Sequence, residues 1–257
     1  MIGQNALCGY NGVGRNELLR FSVEDRLLPG SPRRQDVDTH NMKATGFCEH
    51  FIEENELGRC DFRDWVLLPG MLFQASEEWW GERRSRRTPH EGLDLCYYRD
   101  RHNRLHTLDE NTRIPAMYDG VVVGIIDDLL GKSLVVHHGF ADTDTTRFCT
   151  IYGHTVPGDD ICIGRSVRQG EAIATVASAL KSTSTARPHV HISAGMLHAA
   201  ISWCDLDWQL IGSPDTMTLV DPLQLIGKYC LVPGTPNVAN CWQEGMLADA
   251  IVCREGA

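Results

Sequence analysis

The apolar positions of this chain fall into short runs cut by Gly, Pro and Asp, not into long helical stripes. Gly120 to Ile126 (GVVVGII) is rich in β-branched residues and is bounded by Asp119 and Asp127-Asp128, which predicts a strand between turns. Ser133 to His137 predicts a second strand after the Gly131-Lys132 turn, and Arg147 to Tyr152 a third. Glu171 to Ala177 follows as a fourth after Gln169-Gly170, and Pro188 to Ala194 as a fifth. Upstream, Val66-Leu67-Leu68 stops at Pro69-Gly70, Met71-Leu72-Phe73 follows it, and Leu93 to Tyr98 reads as a strand. Strands joined by tight turns, with no long helices between them, favour an antiparallel barrel or sandwich over βαβ units.

The flanks lack this texture. Residues 1–64 are polar and irregular, with room for short helical turns over Asn16 to Leu28 and Phe47 to Leu57, and read as an extension packed on a main domain at 65–227. Residues 228–257 read as a C-terminal tail packed on that domain, after a short helix over Leu223 to Leu231. A length of 257 residues suits one large domain with such additions.

Composition narrows the function classes. A formal net charge of −10 argues against a nucleic-acid surface, which needs a basic face to neutralise phosphates. The one dense basic run, Arg83-Arg84-x-Arg86-Arg87, reads as a solvated loop or as a device steering an acidic substrate. No stretch approaches the roughly 18 apolar residues of a transmembrane helix. The N-terminus shows no basic region followed by an apolar one, so no export signal is read there. The 10 cysteines are scattered singly with no C-x-x-C pair. Cys149 and Cys162 stand in apolar runs and are expected to be small buried hydrophobes, and a reducing, cytoplasmic compartment is the simpler expectation.

Three fragments carry candidate chemistry: His90-x-x-x-Asp94, Tyr152-Gly153-His154 and His189-x-His191. Four histidines and a carboxylate can together hold one metal ion and serve the water it activates. Within Pro188-His189-Val190-His191-Ile192, period-two geometry puts both imidazoles on one face of a strand and Val190 and Ile192 on the other. Pro89 and Gly92 oppose a helix between His90 and Asp94, so a turn leading into a strand is expected there. His154 is expected at a strand end on the rim of the sheet. Glu91 is expected to be solvated.

In this order the three fragments resemble the hallmark of the LytM/lysostaphin-type zinc metallopeptidases, peptidase family M23: H-x-x-x-D, a histidine in a Y-x-H-L-like segment, then H-x-H. Supporting segments are similar too: Gly120-Val121-Val122, Val135-Val136-His137-His138-Gly139, Val167-x-x-Gly170-x-x-Ile173-Ala174 and Val220-Asp221-Pro222. The resemblance covers about residues 65 to 227. It implies a mainly β, antiparallel sandwich or barrel-like LytM-type domain. It further implies one zinc ion per chain on His90, Asp94 and His191 with water in the open position, and His154 and His189 as the catalytic proton-moving pair. Which of those two is the general base stays open.

The implied substrate is a peptide of the bacterial peptidoglycan cross-link or stem, met in the periplasm or cell envelope, which conflicts with the absent export signal. Two other readings stand beside it: a non-catalytic binding or regulatory module on the same fold, and a peptidase with an intracellular, non-murein substrate. The chain departs from the family pattern at Thr155, where Leu is usual, at Ala186-Arg187, where glycine is expected, and at Ile192-Ser193, where an aromatic residue and Glu are common. The last two departures are expected to touch groove walls, and Thr155 to alter packing only. His138 is expected at a strand end near the site in a structural role.

Overall fold

The computed structural model describes residues 45–178, 186–226 and the backbone of 251–254. It opens on helix α1 (Phe47–Glu54), whose Phe47 and Phe51 are fully buried. Strand β1 (Phe62–Leu67) runs through the stretch where the change of texture begins. The Leu93 to Tyr98 run is two strands, β2 (Leu93–Leu95) and β3 (Tyr97–Asp100), because the chain changes sheets at buried Cys96. Short strands β4 (Leu105–Thr107) and β5 (Arg113–Pro115) lead to β6 (Gly120–Asp127) and β7 (Lys132–His137). The third expected strand is longer than its apolar run: β8 (Thr146–Pro157) continues through Gly153 and His154. Then come β9 (Ser166–Val167), β10 (Ala172–Val176), β11 (Val190–His198), the single-turn helix α2 (Trp208–Ile211), β12 (Met217–Val220) and β13 (Ile251–Arg254).

All pairings among the described strands are antiparallel. A smaller sheet has the order β13-β1-β3-β4. The larger sheet runs β12-β11-β8-β7-β6-β9, with β2 added to β11 and the β10-β5 pair added to β8. The fold is thus mainly β and sandwich-like, without a closed barrel.

Its main core includes Trp65, Leu67, Leu93, Leu95, Met117, Phe148, Tyr152 and Ile192 together with the two α1 phenylalanines. A second cluster, on Val135, Cys149, Ile151 and Leu197, is covered by Leu206, Ile211 and Met217. Strands β7 and β8 are therefore apolar on both faces, which is why their sequences read as runs and not as alternations. Of the expected C-terminal helix, the described part is one 3-10 turn at Pro222–Gln224, and the rest lies outside the described residues, as does Asn16 to Leu28.

Two sequence expectations need correction. Cys162 is exposed, because Ile161-Cys162-Ile163 is a turn and Ile163 also faces solvent. Cys149 is buried as expected, and burial pushes its thiol up to about 12. His138 stands at the end of β7 remote from Ser133, about 16 Å along an extended chain. It is fully buried there, between the Asp119 carbonyl oxygen (2.8 Å) and Thr150 Oγ1 (2.8 Å), in the structural role expected but not near the site.

Candidate metal centre

Strand register brings the fragments together. Strand β2 pairs with β11 so that Asp94 lies opposite His191, and β8 pairs with the other edge of β11 so that Gly153 lies opposite the same residue. His90 arrives on the loop before β2, tied back by hydrogen bonds from the His90 N–H to the Ala75 carbonyl (3.0 Å) and from the Gln74 N–H to the His90 carbonyl (2.9 Å). Gly92 allows this approach: a Cβ there would collide with the Ile192 carbonyl oxygen and His191 Nε2. The chain bends at Gly92, as the sequence suggested, and the absent Cβ also lets the loop pack closely on β11.

Three ligand atoms converge. His90 Nε2 lies 3.0 Å from His191 Nδ1 and 3.3 Å from Asp94 Oδ1, and His191 Nδ1 lies 2.9 Å from Asp94 Oδ1. All three residues are buried. Bonds of about 2.0–2.2 Å in a tetrahedral zinc site put neighbouring ligand atoms about 3.3–3.6 Å apart, so the triangle has nearly the size such an ion needs.

The far side of each ligand is also engaged. His90 Nδ1–H donates to the Leu72 carbonyl (2.9 Å), which leaves Nε2 with a bare lone pair. Ser193 Oγ lies 2.8 Å from His191 Nε2, where it can accept that N–H and leave Nδ1 bare. Trp79 Nε1–H donates to Asp94 Oδ2 at 2.6 Å, leaving Oδ1 for the centre. A carboxylate oxygen and two imidazole lone pairs facing one another, with no donor between them, are a cation site by chemistry. Burial opposes ionisation of Asp94, but the neighbouring histidines outweigh it and hold its carboxyl well below the usual range. Burial pushes the His191 imidazole down to about 4 against the pull of Asp94, which keeps it neutral, as a ligand must be.

The other two histidines flank this triangle. The His154 ring centroid is 4.8 Å from that of His189 and 6.0 Å from that of His191. His189 Nδ1–H donates to the Arg187 carbonyl (2.7 Å), while its buried Nε2 has no hydrogen-bond partner among the described residues and lies 3.9 Å from Asp94 Oδ1. Burial pushes His189 down to about 4 as well, with Asp94 pulling the other way. A bare buried acceptor aimed at the centre is suited to taking a proton there. His154 sits within β8, not at a strand end, and its φ of 62° marks a bulge: the β7–β8 register shifts between Lys132 and Leu134, opposite Tyr152 to Thr155. The bulge turns the imidazole out of the pleat toward the other two rings.

All five sequence-chosen residues meet, and Glu91 stays outside the triangle, bonded to Thr88 Oγ1 at 3.0 Å. The roles of Trp79, Asp128, Ser133, Ser193 and Trp208 at the centre are not legible in the sequence, since each acts through a contact with a residue distant in the chain or on the same strand. The adjacent Trp79-Trp80 pair in a polar loop was the only visible signal. Ile192 and Ser193 are buried and do not wall a groove: Ser193 backs a ligand and Ile192 fills the core. Arg86 is not solvated, because it donates to the Gly70 and Glu77 carbonyls and stacks over Trp80, 5.0 Å from the ring centre. Thr155, where Leu was the family expectation, is buried and donates to the Lys132 carbonyl (2.8 Å).

Residues 104–201 match peptidase family M23, a span that contains His154, His189 and His191 and begins after His90 and Asp94. No curated protein sequence matches the chain. Among solved structures, the chain is similar to a catalytic-domain mutant of the prophage-encoded M23 protein EnpA from Enterococcus faecalis, at 22% identity over 58% of this chain and 88% of that one, with a TM-score of 0.33. It is similar to the antimicrobial peptidase lysostaphin from Staphylococcus simulans at 19% identity over 52% of this chain and 42% of that one, with a TM-score of 0.32. For Csd3 of Helicobacter pylori the figures are 16% identity, 62% and 36% coverage, and a TM-score of 0.33. The match spans less than half the length of the lysostaphin and Csd3 chains. Over residues 104–201, less than half of its length, this chain is thus similar to peptidase family M23.

Proposed function

We propose that the chain is a zinc-dependent metalloendopeptidase acting on the cross-link or stem peptides of peptidoglycan, with its catalytic unit at 65–227. The observation that carries this reading is the buried triangle of His90 Nε2, Asp94 Oδ1 and His191 Nδ1, whose edges of 2.9 to 3.3 Å suit one small cation. Three protein ligands leave a tetrahedral ion one open position, the mark of a catalytic site and not of a structural one. A zinc ion there supplies Lewis acidity toward a peptide carbonyl and lowers the pKa of water.

The protein's own residues do the rest. His90 and His191 are each oriented by an outer hydrogen bond, and Asp94 stays ionised. The His154 and His189 rings adjoin each other beside the triangle, with centroids 4.8 Å apart, so one can accept the proton that water loses and the other can deliver a proton to the departing amine. Burial of His189 against Trp79 (ring centroids 5.1 Å apart) keeps bulk water from competing at that nitrogen.

The test has two parts. Metal analysis of the purified protein should find about one zinc per chain, absent in His191→Ala. Incubation with purified cell wall and with glycine-rich peptides should release new amino termini, and His154→Ala or His189→Ala should lower the rate by roughly 100-fold or more. Protein without bound zinc at neutral pH sinks the reading. Zinc without turnover on either substrate points instead to a binding or regulatory module.

A further inference from the structure

The Asp128 carboxylate, in the turn between β6 and β7, is nearly fully buried and is surrounded by donors. Its Oδ1 accepts from the N–H groups of Leu130 (2.9 Å) and Gly131 (2.7 Å) and lies 3.2 Å from His154 Nδ1. Its Oδ2 accepts from Ser133 Oγ–H (2.5 Å) and from the His154 backbone N–H (2.7 Å). One carboxylate thus grips both the backbone and the ring of the residue at the β8 bulge. The left-handed φ of 62° at His154 is one that a non-glycine residue keeps only when its surroundings hold it there. Ser133 Oγ in turn accepts from Trp208 Nε1–H (3.2 Å), and the Trp208 ring meets the His191 ring with centroids 5.1 Å apart. The arrangement ties the flanking histidine to the ligand set through packed side chains. The corresponding Nδ1–H of His189 meets the Arg187 backbone carbonyl instead.

We propose that Asp128 is the positioning residue of His154: it fixes the ring in the Nδ1–H tautomer, clamps the bulge, and thereby aims Nε2 at the peptide bond being cleaved. A carboxylate only accepts, so the ring nitrogen facing it must carry the hydrogen and the opposite nitrogen is left to exchange protons with substrate and water. Ser133 is the second anchor, holding Oδ2 so that the carboxylate cannot rotate away. The catalytic consequence rests on the peptidase reading, whereas the tautomer and its cause do not.

The test uses the full chain loaded with zinc. Nitrogen-15 NMR of the imidazoles should show His154 as the Nδ1–H tautomer in the wild type and as a mixture in Asp128→Asn, whose amide can donate as well as accept. On cell-wall peptide, Asp128→Asn should lower kcat by about 100-fold or more. KM should stay within about threefold and the zinc content should be unchanged, the pattern of a lost transition-state contact. Ser133→Ala leaves the turn's backbone hydrogen bonds in place and should lower kcat by about tenfold with the same KM. It decides the matter if Asp128→Asn does not fold.

An Nε2–H tautomer at His154 in the wild type overturns the proposal. So does wild-type kcat in both variants, or a loss of activity in Asp128→Asn that only follows loss of zinc. If the wild type cleaves no peptide, the peptidase reading fails while the NMR result still decides whether Asp128 sets the ring.

Discussion

A metal ligand is positioned as much by what stands behind it as by the ion in front. Trp79 is the clearest instance: its indole N–H holds Asp94 Oδ2 at 2.6 Å and so presents the other carboxylate oxygen to the centre. Trp79→Phe keeps most of the packing and removes the donor, and should weaken zinc binding by about 10- to 100-fold, as losses behind a ligand do. Competition with a calibrated chelator measures this, and an unchanged affinity would show that the bond does not orient the carboxylate.

His138 supplies a pH test away from the centre. Burial pushes its imidazole down from an ordinary 6.5 to about 4, outweighing its bond to the Asp119 carbonyl. Between those values the unfolded chain holds the proton more readily than the native one. The stability is therefore fully present above pH 6.5 and is lost as pH falls through 4, a difference on the order of 3 kcal/mol. Urea unfolding of zinc-loaded protein at pH 4 to 7 should show that slope, and His138→Asn should flatten it. At this scale the sequence revealed residues that carry chemistry within a short pattern, His90 with Asp94 and His189 with His191. It could not reveal Trp79 or Asp128, whose partners are 15 and 26 positions away.

Among the elements, the register of β11 decides most, because it pairs His191 with Asp94 on one edge and with Gly153 on the other. Gly92 tests that register. With no space for a Cβ against the Ile192 carbonyl, Gly92→Ala must push β2 away from β11, at a cost of about 1–3 kcal/mol or more. A lower melting temperature together with loss of zinc is the expected result. A melting temperature and zinc content equal to wild type would mean that the loop can yield there.

The long central strands were legible because β-branched runs bounded by Gly and Asp leave few alternatives, as in β6 and β7. Strands β5 and β9, of three and two residues, are too short to show any period and exist because neighbours offer them a partner. The bulge at His154 was equally hidden. The glycine before it suggested a strand end, whereas β8 continues for three residues beyond His154, to Pro157.

For the molecule as a whole, the centre joins parts that are far apart in the chain, from His90 on its loop to His191 in the middle of the larger sheet. Three acceptors facing each other without a cation repel, so the ion should act as a clasp as well as a reagent. Stripping it with a chelator should lower the melting temperature, and zinc returned at about 100 times its dissociation constant should restore about 2.7 kcal/mol. Equal melting curves with and without metal would show that the triangle closes on its own. The antiparallel, mainly β architecture was foreseeable from strand spacing, which left barrel and sandwich both open. That α1 contributes Phe47 and Phe51 to the main core was not, since Phe47 to Leu57 shows no clean helical period.

The placement of two indoles has a practical consequence. Trp79 is hydrogen-bonded to one ligand and Trp208 lies edge-on to another, so two of the chain's six tryptophans sit within one residue of the centre. Their ultraviolet emission should report occupancy without any added label. A paramagnetic ion such as cobalt should dim it on binding, while colourless zinc should shift it, and Trp79→Phe and Trp208→Phe should divide the signal between the two sides of the triangle.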